Sequence, residues 1–195
     1  MLYRFFRGIF RVLFAVLFRL KTVGKENIPA SGPVVLCANH TSNLDPPVLG
    51  TPLDREVYYM AKAELFEIPV FGAILKKIKA FPVKRGGVSK ESIRLSIQLL
   101  QEGNLIGIFP EGSRHNAGGM GKKGAAMLAL KANATVIPAA IIGNYAPFRQ
   151  VVIVYGKPLD LSEFADGGAD ALEKATDKIM STIRAMKAEY ESGVK

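Results

Sequence analysis

The chain has 195 residues, 49% of them hydrophobic, with 26 basic against 17 acidic side chains for a net charge of +9. That apolar fraction excludes a disordered chain and is ample for the core of one domain; the charge favours anionic partners, whether membrane headgroups, nucleic acid, phosphorylated substrates or acidic proteins. One cysteine, Cys37, excludes an intramolecular disulfide, fits a reducing compartment, and in its apolar run reads as a small buried side chain rather than a nucleophile.

Residues 1–21 differ from the rest. Arg4, Arg7, Arg11, Arg19 and Lys21 supply five of the nine excess charges, and no acid precedes Glu26. The longest uncharged apolar stretch, residues 12–18, is too short to cross a bilayer, which takes about 20 residues. Arg4, Arg7, Gly8, Arg11, Ala15 and Arg19 recur every three or four residues and share one narrow stripe of a helix, with aliphatic and phenylalanine side chains around the remainder. This section predicts an amphipathic helix lying in a membrane interface, with Phe6, Phe10 and Phe14 entering acyl chains and Arg4, Arg7 and Arg11 meeting lipid phosphates. The competing reading is a helix packed into the core. A secretory signal would need a small-residue cleavage site where Arg19 and Lys21 stand.

Residues 22–195 read as a single α/β domain. Near-continuous apolar runs predict strands at 34–38, 57–61, 78–83, 105–109, 135–142 and 151–155, each buried on both faces. Helical patterns lie between them: 89–101 with Ser89 as N-cap, 122–132, and a long C-terminal helix marked by Leu172, Ala175, Ile179, Ile183 and Met186. Strands alternating with helices predict a mixed, mostly parallel sheet covered by helices, with the amphipathic helix at its N-terminal side.

In such folds chemistry sits on loops at strand ends. The first histidine lies in Asn39-His40-Thr41-Ser42-Asn43-Leu44-Asp45-Pro46-Pro47, where a strand runs into a turn and then a helix capped by Asp45. Across that turn the Asp45 carboxylate can reach back to the His40 imidazole, the arrangement of a general base and its orienter. A surface histidine beside a helix cap accounts for the same residues. The second polar segment, Pro110-Glu111-Gly112-Ser113-Arg114-His115, puts a carboxylate, a permissive backbone and a guanidinium after another buried strand. The glycine-rich stretch 118–124 does not match a Walker loop. Residues 76–90 hold six basic side chains and no acid; most form a solvated face, and Arg85, at a strand end, stands out. No His/Cys/Asp cluster has metal-ligand spacing.

Taken together these segments resemble the glycerolipid acyltransferase family that includes 1-acylglycerol-3-phosphate acyltransferases. Asn39-His40-Thr41-Ser42-Asn43-Leu44-Asp45 is similar to its His-four residues-Asp motif, Phe109-Pro110-Glu111-Gly112-Ser113-Arg114 to its Phe-Pro-Glu-Gly-Thr-Arg block, Phe81-Pro82-Val83-Lys84-Arg85-Gly86 to its arginine block, and Val136-Ile137-Pro138-Ala139-Ala140-Ile141 to its proline-containing strand. All four stand in family order over residues 39–142, with Ser113 for Thr, His115 for Ser and Ala139 for Val as departures. The resemblance implies that His40 takes the proton of an acceptor hydroxyl while Asp45 holds it. The acceptor would be the sn-2 hydroxyl of 1-acyl-glycerol 3-phosphate, and the product phosphatidic acid for phospholipid biosynthesis. The donor implied is acyl-CoA or acyl-acyl carrier protein, with no permanently bound cofactor and no metal. Arg85, Glu111, Gly112, Ser113 and Arg114 would bind substrate, with amides near Gly112 facing the oxyanion. A lipid acceptor and the anionic-lipid affinity of the first helix imply a peripheral or monotopic enzyme on the cytoplasmic face of the cell membrane. Glycerol 3-phosphate or another lysophospholipid is the alternative acceptor.

Two other classes compete. A lipid hydrolase would use Ser42 or Ser113 with His40, but no Gly-x-Ser-x-Gly elbow is present. A nucleic-acid module would need aromatics interleaved with the basic patch at 76–90, and these are lacking.

Overall fold

The computed structural model describes residues 2–83, 90–112 and 121–193. Seven strands form one sheet: β1 (Lys21–Val23), β2 (Val34–Ala38), β3 (Val57–Lys62), β4 (Ala80–Val83), β5 (Leu105–Ile108), β6 (Thr135–Ile142) and β7 (Val152–Tyr155). Their spatial order is β1-β7-β6-β2-β5-β3-β4, and every neighbouring pair is parallel except β6–β7. Among the described residues the α-helices are α1 (Leu2–Leu17), α2 (Asp45–Gly50), α3 (Phe71–Lys77), α4 (Lys90–Gln101), α5 (Gly124–Lys131) and α6 (Ala171–Glu191). The mixed, mostly parallel sheet covered by helices is the architecture expected from the sequence.

Strand β2 shows why its residues are all apolar. Successive side chains point to opposite faces. Val34, Leu36 and Ala38 join a core with Phe14 and Phe18 of the N-terminal region and Val48 and Leu49 of α2. Val35 and Cys37 join a second core with Leu100 of α4, Leu128 of α5 and Ile179 of α6. With water excluded from both faces, alternation has no purchase, and all five residues are buried. Burial pushes the Cys37 thiol up to about 12, which leaves it an inert filler.

Two elements escaped the sequence reading. β1 is a three-residue, solvent-exposed strand with no periodicity to detect. It forms because the Lys21 amide donates to Val151 O, starting a parallel pairing with β7. The boundary expected at residue 21 therefore falls inside the sheet. The short helix α3 begins after Val70, whose φ of +64° no local pattern foretells.

Helix α1 belongs to the core and to the surface at once. At about 100° per residue, Phe10, Phe14, Leu17 and Tyr3 fall on one side; Phe14 is 1% exposed and stacks on Phe10 at 5.4 Å. Leu2, Phe5, Ile9, Val12, Leu13 and Val16 fall on the opposite side and are 36–67% exposed. Arg7 and Arg11 lie at the flank and turn inward. The Arg7 guanidinium donates to Leu53 O at 3.0 Å and Asp54 O at 2.7 Å. Arg11 donates to Thr51 O, Pro52 O and Leu53 O at 2.5, 3.1 and 2.9 Å, and to the Asp54 carboxylate at 3.2 Å. These carbonyls follow the C-terminus of α2, where a helix leaves acceptors without partners and favours cations. The expectation that Phe10, Phe14, Arg7 and Arg11 all meet lipid is thus corrected: the phenylalanines fill the core, and the guanidiniums satisfy the chain's own backbone. Phe6 is half-buried at the border, and Arg4 is exposed. Among the described residues no helix is long and apolar enough to cross a membrane.

Candidate active site

The neighbouring parallel strands β2 and β5 run out together, with Cys37 opposite Ile108, so the segments after them meet in space. Asn39 extends β2 by side-chain pairing: its amide donates to Ile141 O at 2.9 Å and its oxygen accepts the Ile141 N–H at 2.7 Å. His40 follows, its backbone N–H donating to Glu111 Oε2 at 2.9 Å and its ring stacked 4.3 Å from that of Phe109. The strand end therefore holds the imidazole by backbone and by ring.

The chain then turns into α2, and Asp45 comes back onto His40. Its Oδ2 lies 2.8 Å from His40 Nδ1 and accepts the Thr41 and Ser42 amides, each at 2.6 Å. Asp45 does not cap the helix, contrary to the sequence reading: Leu44 holds the N-cap position and Asp45 is the first residue of α2. The reason lies in the residues that follow. Pro46 and Pro47 have no N–H, and the Val48 amide is already taken by Leu44 O at 3.0 Å, so the carboxylate closes the turn behind it. Its Oδ1 accepts a short hydrogen bond from the Tyr145 hydroxyl. Asp45 is wholly buried while the His40 side chain keeps 18% of its surface exposed. With Nδ1 engaged by the carboxylate, Nε2 is the nitrogen left for a substrate.

His40 lines a cleft of ≈ 490 Å³ walled by Met60 of β3, Ile93 of α4, Ile108 of β5 and Met127 and Leu128 of α5, with Lys62 and Lys122 as its cations. Tyr59 lies across Gly107, where any Cβ would come 2.3 Å from the phenol ring; a glycine in mid-strand makes room for that side chain. An apolar cleft with a few polar groups suits a long apolar chain bearing a reactive head.

A family model described as acyltransferase matches residues 19–142. The 1-acyl-sn-glycerol-3-phosphate acyltransferase of Bacillus subtilis (strain 168) is 35% identical over 170 residues, covering 84% of this chain and 85% of that protein. The chain belongs to the acyltransferase family. The chloroplastic 1-acyl-sn-glycerol-3-phosphate acyltransferase LPAT1 of Arabidopsis thaliana is 31% identical over 132 residues, 65% of this chain but 37% of that protein. The crystal structure of the 1-acyl-sn-glycerophosphate acyltransferase PlsC from Thermotoga maritima superposes with a TM-score of 0.73 over all of this chain and 79% of that one. At 23% identity that likeness speaks for the fold.

The acyltransferase cleft revises several expectations. Glu111 is 3% exposed and its Oε2 accepts the His40 amide, so it supports the His40 backbone in addition to whatever it offers a substrate. Gly112 adopts φ +70°, a conformation suited to glycine, and a Cβ there would strike the Lys122 side chain at 2.6 Å. Its amide, expected to face an oxyanion, instead donates to Phe109 O at 2.9 Å. Arg85, Ser113, Arg114 and His115 lie outside the described residues. Lys62 and Tyr145 were missed. A cation at the end of a predicted strand could have signalled Lys62; nothing local signals Tyr145, 100 residues from its partner Asp45.

Proposed function

We propose that this acyltransferase moves a fatty acyl group from a thioester to the sn-2 hydroxyl of 1-acyl-glycerol 3-phosphate, giving phosphatidic acid for phospholipid synthesis. The observation that carries the mechanism is the buried Asp45 carboxylate 2.8 Å from Nδ1 of His40, which lines an apolar cleft; the acceptor is that named for the Bacillus subtilis relative. His40 Nε2 removes the hydroxyl proton as the oxygen attacks the thioester carbonyl, and Asp45 stabilises the imidazolium that forms. The tetrahedral adduct then expels the thiolate, which leaves with the proton from His40, so the ester forms as the carbon–sulfur bond breaks. Acyl-CoA and acyl-acyl carrier protein both supply that chemistry. Lys62 and Lys122 bring positive charge to the cleft, as Arg85 and Arg114 would from their blocks, for the phosphates of acceptor and donor.

The enzyme acts on a membrane surface. The outward row Leu2, Phe5, Ile9, Val12, Leu13 and Val16 enters the interface, with the exposed Arg4 and Arg19 beside it for anionic headgroups. The donor carriers put this surface on the cytoplasmic side. The test is purified protein with both donors against 1-acyl-glycerol 3-phosphate, glycerol 3-phosphate and neutral lysophospholipids. Phosphatidic acid from the first acceptor, at a rate well above the others, is the expected result. Release of free fatty acid without an acceptor would instead make the protein a hydrolase. That reading has no support from Ser42, whose hydroxyl accepts the Leu44 amide and, among the described residues, forms no hydrogen bond with His40.

A further inference from the structure

Asp45 is the one wholly buried carboxylate among the described residues, and its two oxygens are held from different parts of the chain. Oδ2 is held locally, by His40, Thr41 and Ser42. Oδ1 is held by the Tyr145 hydroxyl, from the segment between β6 and β7. Burial, and then the charge of Asp45 itself, push the Tyr145 phenol well above its ordinary value, so it remains a proton donor wherever the enzyme works.

Tyr145 is in turn supported by the end of α1. Its ring meets Phe18 edge-on at 5.4 Å and 83°. The same segment is tied by backbone to the residues around that contact: Phe148 N–H donates to Leu17 O at 2.5 Å and Val151 N–H to Phe18 O at 2.9 Å. Phe18 is itself 7% exposed and tilted on Phe14 at 5.8 Å. A continuous line of packed groups therefore joins the N-terminal helix to the base: Phe14, Phe18, Tyr145, Asp45, His40.

We propose that Tyr145 is a positioning residue for the His40–Asp45 pair, and that α1 holds it in place through Phe18. A carboxylate gripped at one oxygen only can turn about its terminal torsion, which is broad. The Tyr145 hydroxyl pins the second oxygen, so the orientation that faces His40 Nδ1 is kept through the proton transfer. The helix carrying the outward apolar row thereby supports the chemistry as well as the surface.

The inference rests on His40 acting as base, and the experiment separates the two. Tyr145→Phe, Phe18→Leu, the double variant and His40→Ala are assayed on a short-chain, water-soluble acceptor, so that membrane binding does not enter. Tyr145→Phe retains the ring contact with Phe18 and should stay folded. It should lose roughly ten- to a hundredfold in kcat, the scale of one hydrogen bond to a buried charge, with the acceptor KM nearly unchanged. Its acid limb in the kcat/KM profile should move to higher pH, because Asp45 relieved of a donor holds more negative charge against the imidazole. Among the described residues, the ionisable groups around that imidazole are Asp45 from α2, Glu111 after β5, Tyr145 before β7, and the cleft cations Lys62 and Lys122; only the Tyr145 hydroxyl is altered. Phe18→Leu should lower kcat in the same sense but less, and the double variant should be no worse than Tyr145→Phe. A wild-type kcat and pH profile in Tyr145→Phe, with His40→Ala inactive, would overturn the positioning role alone. An active His40→Ala would remove the base and this inference with it. Multiplying losses in the double variant would show that α1 does not act through Tyr145.

Discussion

The turn bearing His40 and Asp45 and the helix that begins the chain are built on opposite plans. Apart from Tyr145, the partners of the Asp45 carboxylate lie three to five residues away, in the turn it closes. Arg7 and Arg11 of α1 reach partners 40 to 47 residues away, and Phe14 packs on strands from across the sheet. A local device can be made rigid by its own few residues, as here by a carboxylate that gathers the donors of the turn behind it. A non-local element takes its shape from whatever it lies against. One helix can consequently serve three surroundings: a core, the carbonyls of a neighbouring helix end, and an exposed apolar row.

The sharpest way to test this contrast is to remove the chemistry without touching the fold. His40→Ala should cost about 10²–10⁴-fold in turnover and lower the melting temperature only modestly, since the Asp45 carboxylate loses one donor but keeps those of Thr41, Ser42 and Tyr145. Asp45→Asn should be nearly as damaging to turnover and also lower the melting temperature. The Thr41 and Ser42 amides keep the variant's one oxygen in the place of Oδ2, so its NH₂ meets the Tyr145 hydroxyl, and the negative charge that stabilises the imidazolium is lost. If Asp45→Asn kept wild-type turnover, the carboxylate would be a brace for the turn alone.

The two apolar sides of α1 should respond in opposite ways. Phe14→Ala empties a site at the centre of the core and should cost about 3–5 kcal/mol of stability, seen as a large fall in the denaturation midpoint. Val12→Ser with Val16→Ser should leave that midpoint where it is and weaken sedimentation with liposomes, because these residues are 67% and 60% exposed. A lower midpoint with unchanged liposome binding in the Val12/Val16 variant would mean that the outward row is covered by protein rather than lipid.

The legibility of the sequence follows the same division. The His40–Asp45 pairing was readable because only a turn separates its members. The central strands were readable because burial on both faces leaves an unbroken apolar run. The helical period of α1 was also readable, but not which side was which: Phe10 and Phe5 look alike until the sheet is in place. Asp45 as a helix cap failed because the Val48 amide it would have capped pairs with Leu44 O instead, which the sequence does not show. Glu111 and Tyr145 lay beyond local inference, because each meets the dyad from a distance of 71 or 100 residues.

The smallest expected effect separates two kinds of contact made by one arginine. Arg11 donates to three backbone carbonyls and to the Asp54 carboxylate, which Lys25 also meets at 2.6 Å. The hydrogen bonds from Lys25 and Arg11 hold the Asp54 carboxyl below its ordinary value of 3.8. Because the folded value is the lower one, the contribution is present in full above the unfolded value and is lost as pH falls through the folded one. The carboxylate is largely exposed, so water and salt screen it, and Asp54→Asn should cost about 0.5 kcal/mol at neutral pH. That difference from the wild type should close as the pH drops below the carboxylate range. Arg11→Gln should cost more, and most of its loss should persist in acid, because carbonyl acceptors do not titrate. Melting curves of the two variants across this range give the comparison directly. If the Arg11→Gln deficit closed along with that of Asp54→Asn, the arginine would be held by the ion pair, and the carbonyls after α2 would contribute little to seating α1.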